Sequence, residues 1–415
     1  MPSGISPRVG NVSGSWSRGY PPLEVQMTKR KGKTTHVDYL LLVTLLALLA
    51  LGLLMLYSAT FYVGVEFWQR QLVWVGAGSV LALALVYLPY PVWQRLALPL
   101  MIVALLSLAV VLLGGEQTQA AQRRALLGSS IQPGVLARLV VVIYIAAWLA
   151  SKGEQLHQMR YGLVPFAMII GVVAGLVALQ PDLSTAALLI ATGLAMFFFA
   201  GGDPLQIFMA IITGGASFGF LAWRLPHARK RLVDYVAALK DPAQMSYHIH
   251  CAVTAIGEGG LLGVGIGNGR LKAWYLPFPH TDSIFAIVGE EMGLLGSLLV
   301  LGLFGLLAYR GYRIALETAD PFGSLLAFGV TTMIIVEVLL NVLVITGLLP
   351  FTGTALPFFS YGGSEMLITM AGAGMLLGIS RGRSKGDAVA ILDRWWRDWR
   401  ARLSRIGRSA SIARR

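Results

Sequence analysis

The chain has 415 residues, of which 56% are hydrophobic and only 13% are charged. That charged share is about half of what a soluble domain carries, which excludes a disordered chain, a disulfide scaffold and an ordinary soluble enzyme. With 33 basic and 20 acidic residues the net charge is +13, and the single Cys251 permits no intrachain disulfide. The composition therefore predicts an all-α, polytopic membrane protein.

Apolar runs long enough to cross a bilayer recur ten times along the chain. A helix rises about 1.5 Å per residue, so about 20 apolar residues cross the hydrocarbon layer. Polar breaks at 180–182 and 201–204 separate the fifth, sixth and seventh runs, and the predicted topology depends on both breaks. The ten predicted spans lie near 38–58, 71–89, 94–114, 134–151, 161–180, 183–201, 204–223, 283–309, 323–347 and 364–381.

Basic residues in short loops orient the predicted spans. If the number of spans is even, most of the basic residues outside the spans fall on one side of the membrane. These are the cluster Lys29 to Lys33, Lys152, Arg160, Arg310, Arg313 and the arginine-rich C-terminal tail. We expect this side to be the cytoplasm. Residues 1–37 and 382–415 are then basic cytoplasmic tails around a membrane domain at 38–381. In the second tail, Trp395 and Trp399 recur at helical spacing among arginines, which is typical of contact with anionic lipid.

One predicted loop breaks the charge pattern. Residues 224–282 fall on the outer face, as a large extracellular loop between the seventh and eighth spans, yet they are rich in lysine and arginine. Loops of this length cross the membrane largely regardless of charge, so the predicted topology holds. The surplus has two explanations: a solvated basic loop, or an extracellular site for an anionic group such as a phosphate. Its basic residues include Arg224, Arg229, Lys230, Arg231, Lys240, Arg270 and Lys272.

Four polar clusters interrupt the apolar runs, and the topology places all of them on the outer side. Unpaired polar groups are costly in lipid, so such clusters are candidates for a functional site. The clusters are Arg123 with Gln132 and Arg138; Gln180 with Asp182; the glycine-rich stretch 255–282; and the proline- and glycine-rich stretch 347–364. Asp182 and Asp282 each precede an apolar run, so the alternative for both is helix capping.

Two other interpretations of the glycine-rich stretch are weak. Its glycines do not have the GxGxxG spacing and no βαβ pattern surrounds them, so we reject a dinucleotide site. His248, His250 and Cys251 lie close together but lack a remote fourth ligand, which disfavours a metal site. Irregular glycine-rich backbone is instead tolerated at membrane depth where it lines a cavity.

Six motifs, in one order along the chain, resemble those of the SEDS family (shape, elongation, division and sporulation), to which FtsW, RodA and SpoVE proteins belong. The motifs are Asp38-Tyr39, Tyr57-Ser58-Ala59, QPDLSTA at 180–186, AIGEGG at 255–260, HTDSIFAIVGEEMG at 280–293 and LPFFSYGGS at 356–364. The resemblance covers about residues 38–381. Within the family, the long N-terminal tail and Asp320-Pro321 with their neighbours favour the division-type FtsW branch.

The resemblance implies a peptidoglycan glycosyltransferase with ten transmembrane helices in the bacterial cytoplasmic membrane. Such a protein polymerises lipid II, a disaccharide-pentapeptide on undecaprenyl pyrophosphate, during division or elongation. The resemblance also implies a class B penicillin-binding protein as partner and other divisome or elongasome membrane proteins, with no nucleic acid. Asp282 matches the family's motif acid and is the expected general base for the acceptor hydroxyl.

The remaining candidate residues are expected to bind the substrate. Four basic residues, Arg123, Arg229, Arg231 and Lys272, could neutralise the pyrophosphate, with a divalent cation (Mg²⁺ or Mn²⁺) as the alternative clamp. The full set is Arg123, Arg138, Gln180, Asp182, Arg229, Arg231, Lys272, His280, Thr281, Glu290, Ser360, Tyr361, Gly362, Gly363 and Ser364.

The sequence lacks the Trp that usually follows the family's Arg-containing stretch near Arg124, and it departs from the family pattern at five further positions. They are Val135 where glutamate is expected, Arg138 for lysine, His248 for glutamine, Phe278 for an acid and Glu365 for serine. Arg138 lies inside a predicted span and has lost its expected acidic neighbour. A membrane-buried charge needs a partner, so we predict that Glu337 or Glu365 supplies it.

Two other functions remain open from the sequence. A lipid II flippase would use the same cavity and basic residues but would need no base. A non-catalytic scaffold of a septal complex gains support from Val135 and Phe278. Lipid movement that survives Asp282→Ala would indicate the flippase, and the absence of both activities would indicate the scaffold.

Overall fold

The computed structural model describes residues 37–62, 64–113, 132–241 and 244–382, and these residues form helices and connecting loops without a strand. Arg123 and the two predicted tails lie outside the described residues, apart from the few tail residues next to the membrane domain. The helices are α1 (Tyr39–Thr60), α2 (Val65–Tyr87), α3 (Pro91–Leu113), α4 (Pro133–Lys152), α5 (Leu163–Leu179), α6 (Leu183–Phe199), α7 (Pro204–Arg224), α8 (Pro226–Lys240), α9 (Tyr247–Gly259), α10 (Leu271–Trp274), α11 (Ile284–Glu317), α12 (Pro321–Ile345) and α13 (Gly363–Ser380), with a 3₁₀ helix at Gly153–His157.

Eight of the described helices are long and apolar enough to cross a membrane, and together they confirm a multi-pass membrane fold. The apolar helices α5 and α6 have 17 residues each and occupy the fifth and sixth predicted spans. Both polar breaks that we predicted at 180–182 and 201–204 separate helices. The total of ten spans stays a prediction, as does the extracellular position of segment 224–282, which contains α8, α9 and α10.

Aspartate residues begin several of these helices. The carboxylate of Asp38 accepts a hydrogen bond from the backbone N–H of Leu41 at 3.0 Å at the start of α1. Asp203 and Asp320 cap α7 and α12 in the same way. A proline follows each of these two aspartates, and its fixed φ suits the first helical position. The polar breaks in the sequence are therefore helix starts.

The helices α4, α12 and α13 lie at the centre of the bundle and α7 lies at its edge. Most of the apolar stretch of α12 and α13 is buried, whereas only 11% of that of α7 is. Small residues allow the closest approach, since a Cβ at Gly374 in α13 would lie 2.6 Å from the carbonyl oxygen of Ala82 in α2. In lipid the hydrophobic effect does not drive helices together, so close backbone packing of this kind stabilises their association.

The helix α11 extends to residue 317, beyond the predicted end at 309, and it is broken at Gly293. Gly293 has a φ of 65°, a conformation that is strained for a residue with a Cβ. A Cβ here would also lie 2.4 Å from the backbone nitrogen of Gly263. The break therefore requires glycine both for its conformation and for its packing.

The break in α11 leaves backbone N–H and C=O groups without partners in the helix, and the glycine loop (residues 259–272) forms hydrogen bonds with them. Irregular backbone at membrane depth needs such partners because lipid offers none. The bonds run from the N–H of Leu294 to the carbonyl of Gly260 at 2.9 Å, from Leu295 to Leu261 at 3.1 Å, from Val264 to Glu290 at 3.0 Å and from Gly265 to Glu291 at 3.0 Å. The glycine loop and the half-helix Ile284–Met292 thus form one hydrogen-bonded unit.

One end of the bundle brings together the start of α1, the C-terminal part of α11 and the end of α13. Arg310 of α11 forms an ion pair with Asp38, and the Nε of Arg310 donates to the same carboxylate at 2.9 Å. The backbone N–H of Asp38 donates to the hydroxyl of Ser380 at 3.3 Å. The start of the first described helix and the end of the last one therefore lie on the same side of the molecule.

Candidate active site

Asp282 lies in the turn directly before α11, within the pre-α11 loop (residues 276–283), and its side chain is half-buried. The N-cap position of α11 belongs to Ser283, so Asp282 does not occupy the capping position that was its alternative interpretation. On α12, the buried amide of Asn341 donates to the carbonyl of Asp282 at 3.0 Å and to that of Thr354 at 2.6 Å. This amide joins the pre-α11 loop to the pre-α13 loop (residues 346–362).

The carboxylate of Asp282 packs against Gly353 in the pre-α13 loop. A Cβ added at Gly353 would lie 3.0 Å from Oδ2 of Asp282, and Gly353 has a φ of 74°. Both the positive φ and the close approach favour glycine at this position. The two loops therefore meet at the acid, and this meeting point is called the Asp282 junction below.

Backbone and hydroxyl hydrogen bonds fix the rest of the Asp282 junction. The hydroxyl of Ser360 donates to the carbonyl of Thr281 at 2.5 Å, and the N–H of Tyr361 donates to the carbonyl of His280 at 2.8 Å. The Ser360 hydroxyl also accepts from the N–H of Leu356 at 2.7 Å. Ser360 and Tyr361, which we predicted as substrate-binding residues, here hold the loop that carries Asp282.

Gln71 of α2 clamps the end of the pre-α13 loop. Its Nε2 donates to the carbonyl of Ser360 at 3.2 Å, and its Oε1 accepts from the N–H of Gly362 at 3.2 Å. Next to it, the ring of Trp74 lies against Gly363, where a Cβ would lie 2.4 Å from the indole. The buried hydroxyl of Ser364 accepts from the N–H of Gln132 at 3.1 Å. The glycines at this point serve close packing.

Asp182 caps α6 at the side of the Asp282 junction. Its carboxylate accepts from the N–H of Thr185 at 3.2 Å and from the hydroxyl of that threonine at 2.9 Å. The capping alternative for Asp182 is therefore confirmed. One residue into the helix, the Ser184 hydroxyl donates to the carbonyl of Thr352 at 2.8 Å, which ties α6 to the pre-α13 loop. Gln180 is buried and donates to the carbonyl of Leu108 at 2.8 Å.

The helix α8 separates the basic residues that the sequence grouped together. Arg231 points toward the pre-α13 loop: its guanidinium donates to the carbonyl of Thr352 at 3.4 Å and lies 5.4 Å from the ring centroid of Phe351. Arg229 instead lies 4.6 Å from the ring centroid of Trp223 at the end of α7. Arg229 and Arg231, which we predicted to bind the substrate, both lie on α8, and of these two Arg231 contacts the Asp282 junction.

Lys272 does not face open space. Its side chain is fully buried and forms an ion pair with Glu291, which is fully buried as well. The ammonium also donates to the hydroxyl of Ser58 at 2.6 Å and to the carbonyl of Gly267 at 3.1 Å. We expected Lys272 to neutralise a pyrophosphate, but in the structure its ammonium is paired with the buried carboxylate of Glu291.

Glu290 is likewise engaged inside the fold. It is buried, and its Oε1 accepts from the N–H groups of Arg270 at 2.6 Å and of Leu271 at 3.0 Å. Lys272, Glu290 and Glu291 are called the glycine-loop ion cluster below, because all three hold the glycine loop against α11. Glu290 was predicted as a substrate-binding residue, and in the structure its partner is the protein backbone.

The predicted partner of Arg138 is confirmed, and there are two. The guanidinium of Arg138 on α4 lies 2.5 Å from Glu337 of α12 and forms a second ion pair with Glu365 of α13. Arg138 and Glu337 have 3% and 4% of their side chains exposed, and Glu365 has 24%. A cation at this depth requires such partners. The network joins the three central helices.

Two histidines near Asp282 are held in the neutral form. Burial lowers the pKa of both His248 and His280. The Nε2 of His248 is hydrogen-bonded to the hydroxyl of Ser283 at 2.5 Å, while the ring of His280 packs 4.6 Å from that of Phe67. Positive charge at the Asp282 junction therefore comes from Arg231 rather than from histidine.

The described residues contain no group of three or more His, Cys, Asp or Glu side chains that could hold a metal ion. A structural metal site built from protein ligands alone does not fit them. Mg²⁺ on a nucleotide-like substrate needs only one or two carboxylates plus phosphate oxygens. The divalent cation that we predicted as an alternative clamp would be brought by phosphate oxygens, so it stays a prediction.

Several residues that build the junction were missed by sequence reasoning. Asn341 carried the clearest signal, because an amide inside an apolar span is costly unless it has partners. Gln71 gave the same signal more weakly, at the start of the second span. Gly353 and Phe351 gave none, since their importance depends on which loops meet in space.

Comparison with known proteins places these motifs in context. A family profile described as cell cycle protein, covering FtsW, RodA and SpoVE, matches residues 38–385. The chain is 33% identical to the probable peptidoglycan glycosyltransferase FtsW of Trichlorobacter lovleyi, over 86% of this chain and 97% of that protein. It is 36% identical to stage V sporulation protein E of Bacillus subtilis, over 84% of this chain and 98% of that protein.

Solved structures show the same fold. A chain from a study of how a peptidoglycan synthase complex coordinates polymerization and crosslinking aligns with a TM-score of 0.69 at 30% identity. That alignment covers 84% of this chain and 99% of the other. The crystal structure of the rod shape determining protein RodA from Thermus thermophilus aligns with a TM-score of 0.63 at 29% identity, over 84% of this chain and 98% of RodA.

Proposed function

This chain belongs to the FtsW, RodA and SpoVE family of cell cycle proteins, and from that premise we propose that it is a peptidoglycan glycosyltransferase with Asp282 as its general base. In this proposal the substrate is lipid II. A sugar hydroxyl of one molecule attacks the anomeric carbon of the strand carried by another. Asp282 accepts the proton of that hydroxyl as the new glycosidic bond forms.

One observation carries the assignment of Asp282. Among the acids near the start of α11, Glu290 and Glu291 are fully buried, whereas Asp282 is half-buried where two loops meet. A general base must reach the proton it removes. Because Asn341 fixes the backbone of Asp282, the acid is also held in place before substrate arrives.

The leaving group of this reaction is a lipid diphosphate, which departs well once its charge is neutralised. Of the predicted basic residues that the structure describes, Arg229, Arg231 and Lys272, Arg231 contacts the Asp282 junction, so it is the proposed partner of the diphosphate. A divalent cation bound to the diphosphate would add to this neutralisation. Loss of polymerisation in EDTA, restored by Mg²⁺ or Mn²⁺, would support a role for the cation.

The remaining parts of the proposal concern place and partners. Lys152, Arg160, Arg310 and Arg313 fall on one side of the predicted topology, which favours the cytoplasmic membrane with both termini in the cytoplasm. A class B penicillin-binding protein is the proposed partner within a divisome or elongasome. The fold similarity to a chain of a peptidoglycan synthase complex supports a crosslinking partner.

Purified protein with its partner, given lipid II, tests the proposal. We expect glycan polymer from the wild type and a strongly reduced rate of polymerisation from Asp282→Asn, which keeps the size of the side chain but cannot accept the proton. Both proteins should have the same unfolding temperature in detergent. Polymerisation by Asp282→Asn at a rate near that of the wild type would contradict the role of Asp282.

A lipid transporter is the second candidate function. An apolar cleft of about 530 Å³ between α5, α6 and α7 favours it, because such a cleft could hold a polyprenyl chain. Transport needs no base, so movement of lipid II across vesicles would then persist in Asp282→Asn. Polymer formation by the wild type, absent in the variant, separates the two functions.

A further inference from the structure

We propose that the cleft between α8, α9 and the pre-α13 loop is a subsite for an isoprenyl diphosphate, with the diphosphate at Arg231 and the first isoprene units along the apolar wall. The inference rests on the proposed function, because the leaving group of that reaction is an isoprenyl diphosphate. Beyond the proposed function, the inference specifies the place where this leaving group binds and the residues that recognise it.

The cleft lies beside the Asp282 junction. Its volume is about 160 Å³. Phe351 lines it and is followed closely by Gly353, which packs against the Asp282 carboxylate. His248 also lines it, and this histidine is hydrogen-bonded to Ser283, the neighbour of Asp282. A group that leaves the reacting carbon near Asp282 therefore has this cleft within its immediate reach.

The polar end of the cleft is the end next to the junction. Arg231 and His248 both contact the ring of Phe351, at 5.4 Å and 4.3 Å from its centroid. His248 is neutral for the reason given above, so Arg231 supplies the positive charge, with Asp234 as the acid in the lining. Guanidinium groups bind phosphate oxygens through two parallel hydrogen bonds.

The rest of the wall suits a hydrocarbon better than a sugar or a peptide. It is formed largely by the side chains of Leu239, Met245, Ile249 and Leu349. The hydroxyl of Tyr235 in the same wall already donates to the carbonyl of Leu348 at 2.7 Å. Sugar rings require several free polar partners, whereas isoprene units require apolar area of this kind.

The larger cleft between α5, α6 and α7 does not fit the same ligand. The residues that line it include no charged side chain. It could hold a hydrocarbon chain, but it offers nothing to a diphosphate. Of these two clefts, the one beside α8 combines a cation with an apolar wall next to the Asp282 junction, and this combination favours a lipid diphosphate as the ligand.

Competition binding tests the subsite on the full-length protein in lipid nanodiscs. Radiolabelled geranylgeranyl diphosphate is displaced by unlabelled geranylgeranyl diphosphate, geranyl diphosphate or inorganic diphosphate, with empty nanodiscs as background. We expect the affinity to rise about tenfold from the shorter to the longer isoprenyl chain, since more apolar area is buried. Arg231→Gln should weaken all three ligands.

A matched pair on α8 separates the cleft from the lipid around it. Leu239→Ser changes a wall residue that is 66% exposed, and Val236→Ser changes a residue of similar exposure (51%) outside the lining. Leu239→Ser should weaken geranylgeranyl diphosphate about tenfold and leave inorganic diphosphate unchanged. Val236→Ser should change neither. Ala238→Phe, which fills the cleft, should act as Leu239→Ser does.

Equal affinities for the short and long chains, or equal effects of Leu239→Ser and Val236→Ser, would overturn the subsite. The failure of the proposed function looks different. If the wild type binds geranylgeranyl diphosphate as described but forms no polymer from lipid II, then the enzymatic proposal fails while the subsite stands. If polymer forms without chain-length selectivity in binding, the subsite fails alone.

Discussion

The Asp282 junction and the glycine-loop ion cluster both contain charged residues near the start of α11, but the charged residues differ in their exposure to solvent. In the junction, Asp282 is half-buried beside exposed Arg231. In the cluster, Lys272 and Glu291 are fully buried and neutralise each other. The accessible charges are the ones that we propose to act on a ligand, whereas the enclosed charges hold the glycine loop against α11. Substitutions in the two regions should therefore fail in different ways.

The largest effect is expected at the Asp282 junction, on activity alone. Asp282→Asn should reduce the polymerisation rate by a factor of about 10²–10⁴, the usual contribution of a general base. Rates with lipid II, measured beside the unfolding temperature, check this. If the variant loses its folded state together with its activity, then Asp282 stabilises the fold, as the glycine-loop ion cluster does.

The glycine-loop ion cluster should show the reverse pattern. Lys272→Met leaves the Glu291 carboxylate buried without its partner and should lower the free energy of unfolding by about 3–5 kcal/mol. Thermal unfolding in detergent measures this loss. The double variant Lys272→Met/Glu291→Leu should recover part of it, because no unpaired charge then remains.

The exposed pair of Arg313 and Glu317 is the control for Lys272. Their side chains are 49% and 57% exposed. Arg313→Met should change the free energy of unfolding by less than about 1 kcal/mol, as is usual for exposed ion pairs. An equal loss in Lys272→Met and Arg313→Met would remove the distinction between enclosed and accessible charge.

The network around Arg138 sharpens the comparison, since its two acids differ in burial. Glu337→Gln should cost about 1–3 kcal/mol of unfolding free energy, because an interior charge keeps only one anionic partner. Glu365→Gln should cost less, since its side chain is 24% exposed and water can replace it. Chemical or thermal unfolding of both variants ranks them. The opposite order would show that depth does not decide which acid holds Arg138.

The smallest effect is a loss of stability in acid. Burial lowers the pKa of His248 and His280 below the value of unfolded histidine, about 6.5. Their contribution is therefore complete above that pH and is lost as the pH falls toward the lower folded pKa values. The unfolding temperature should fall from pH 7.5 to pH 5.5, less steeply in His248→Gln. Exposed His250 of the same helix is the control, and His250→Gln should keep the full slope.

Much of the fold was predictable because lipid imposes simple rules. The apolar runs, the aspartates at helix starts and the paired partners of Arg138 all follow from the cost of polar groups in hydrocarbon. The same rule also indicated the irregular stretch before α13. These features depend on composition over a short window, which the sequence displays directly.

The allocation of charge could not be predicted in this way. Arg229, Arg231 and Lys272 look alike in sequence, but the rotation of α8 about its axis and the path of the glycine loop decide which one reaches the junction. The break in α11 was missed because Gly293 is one glycine among many. Its conformation is determined by backbone contacts with the distant glycine loop.

That break has a mechanical consequence. The half-helix Ile284–Met292 is bonded to the glycine loop across Gly293, and the pre-α11 loop is its direct continuation. Pulling the loop away would leave several amides and carbonyls without partners in an apolar setting. The two segments should therefore move together as one rigid body. A displacement of the glycine loop, for example by a bound partner, would then also displace Asp282.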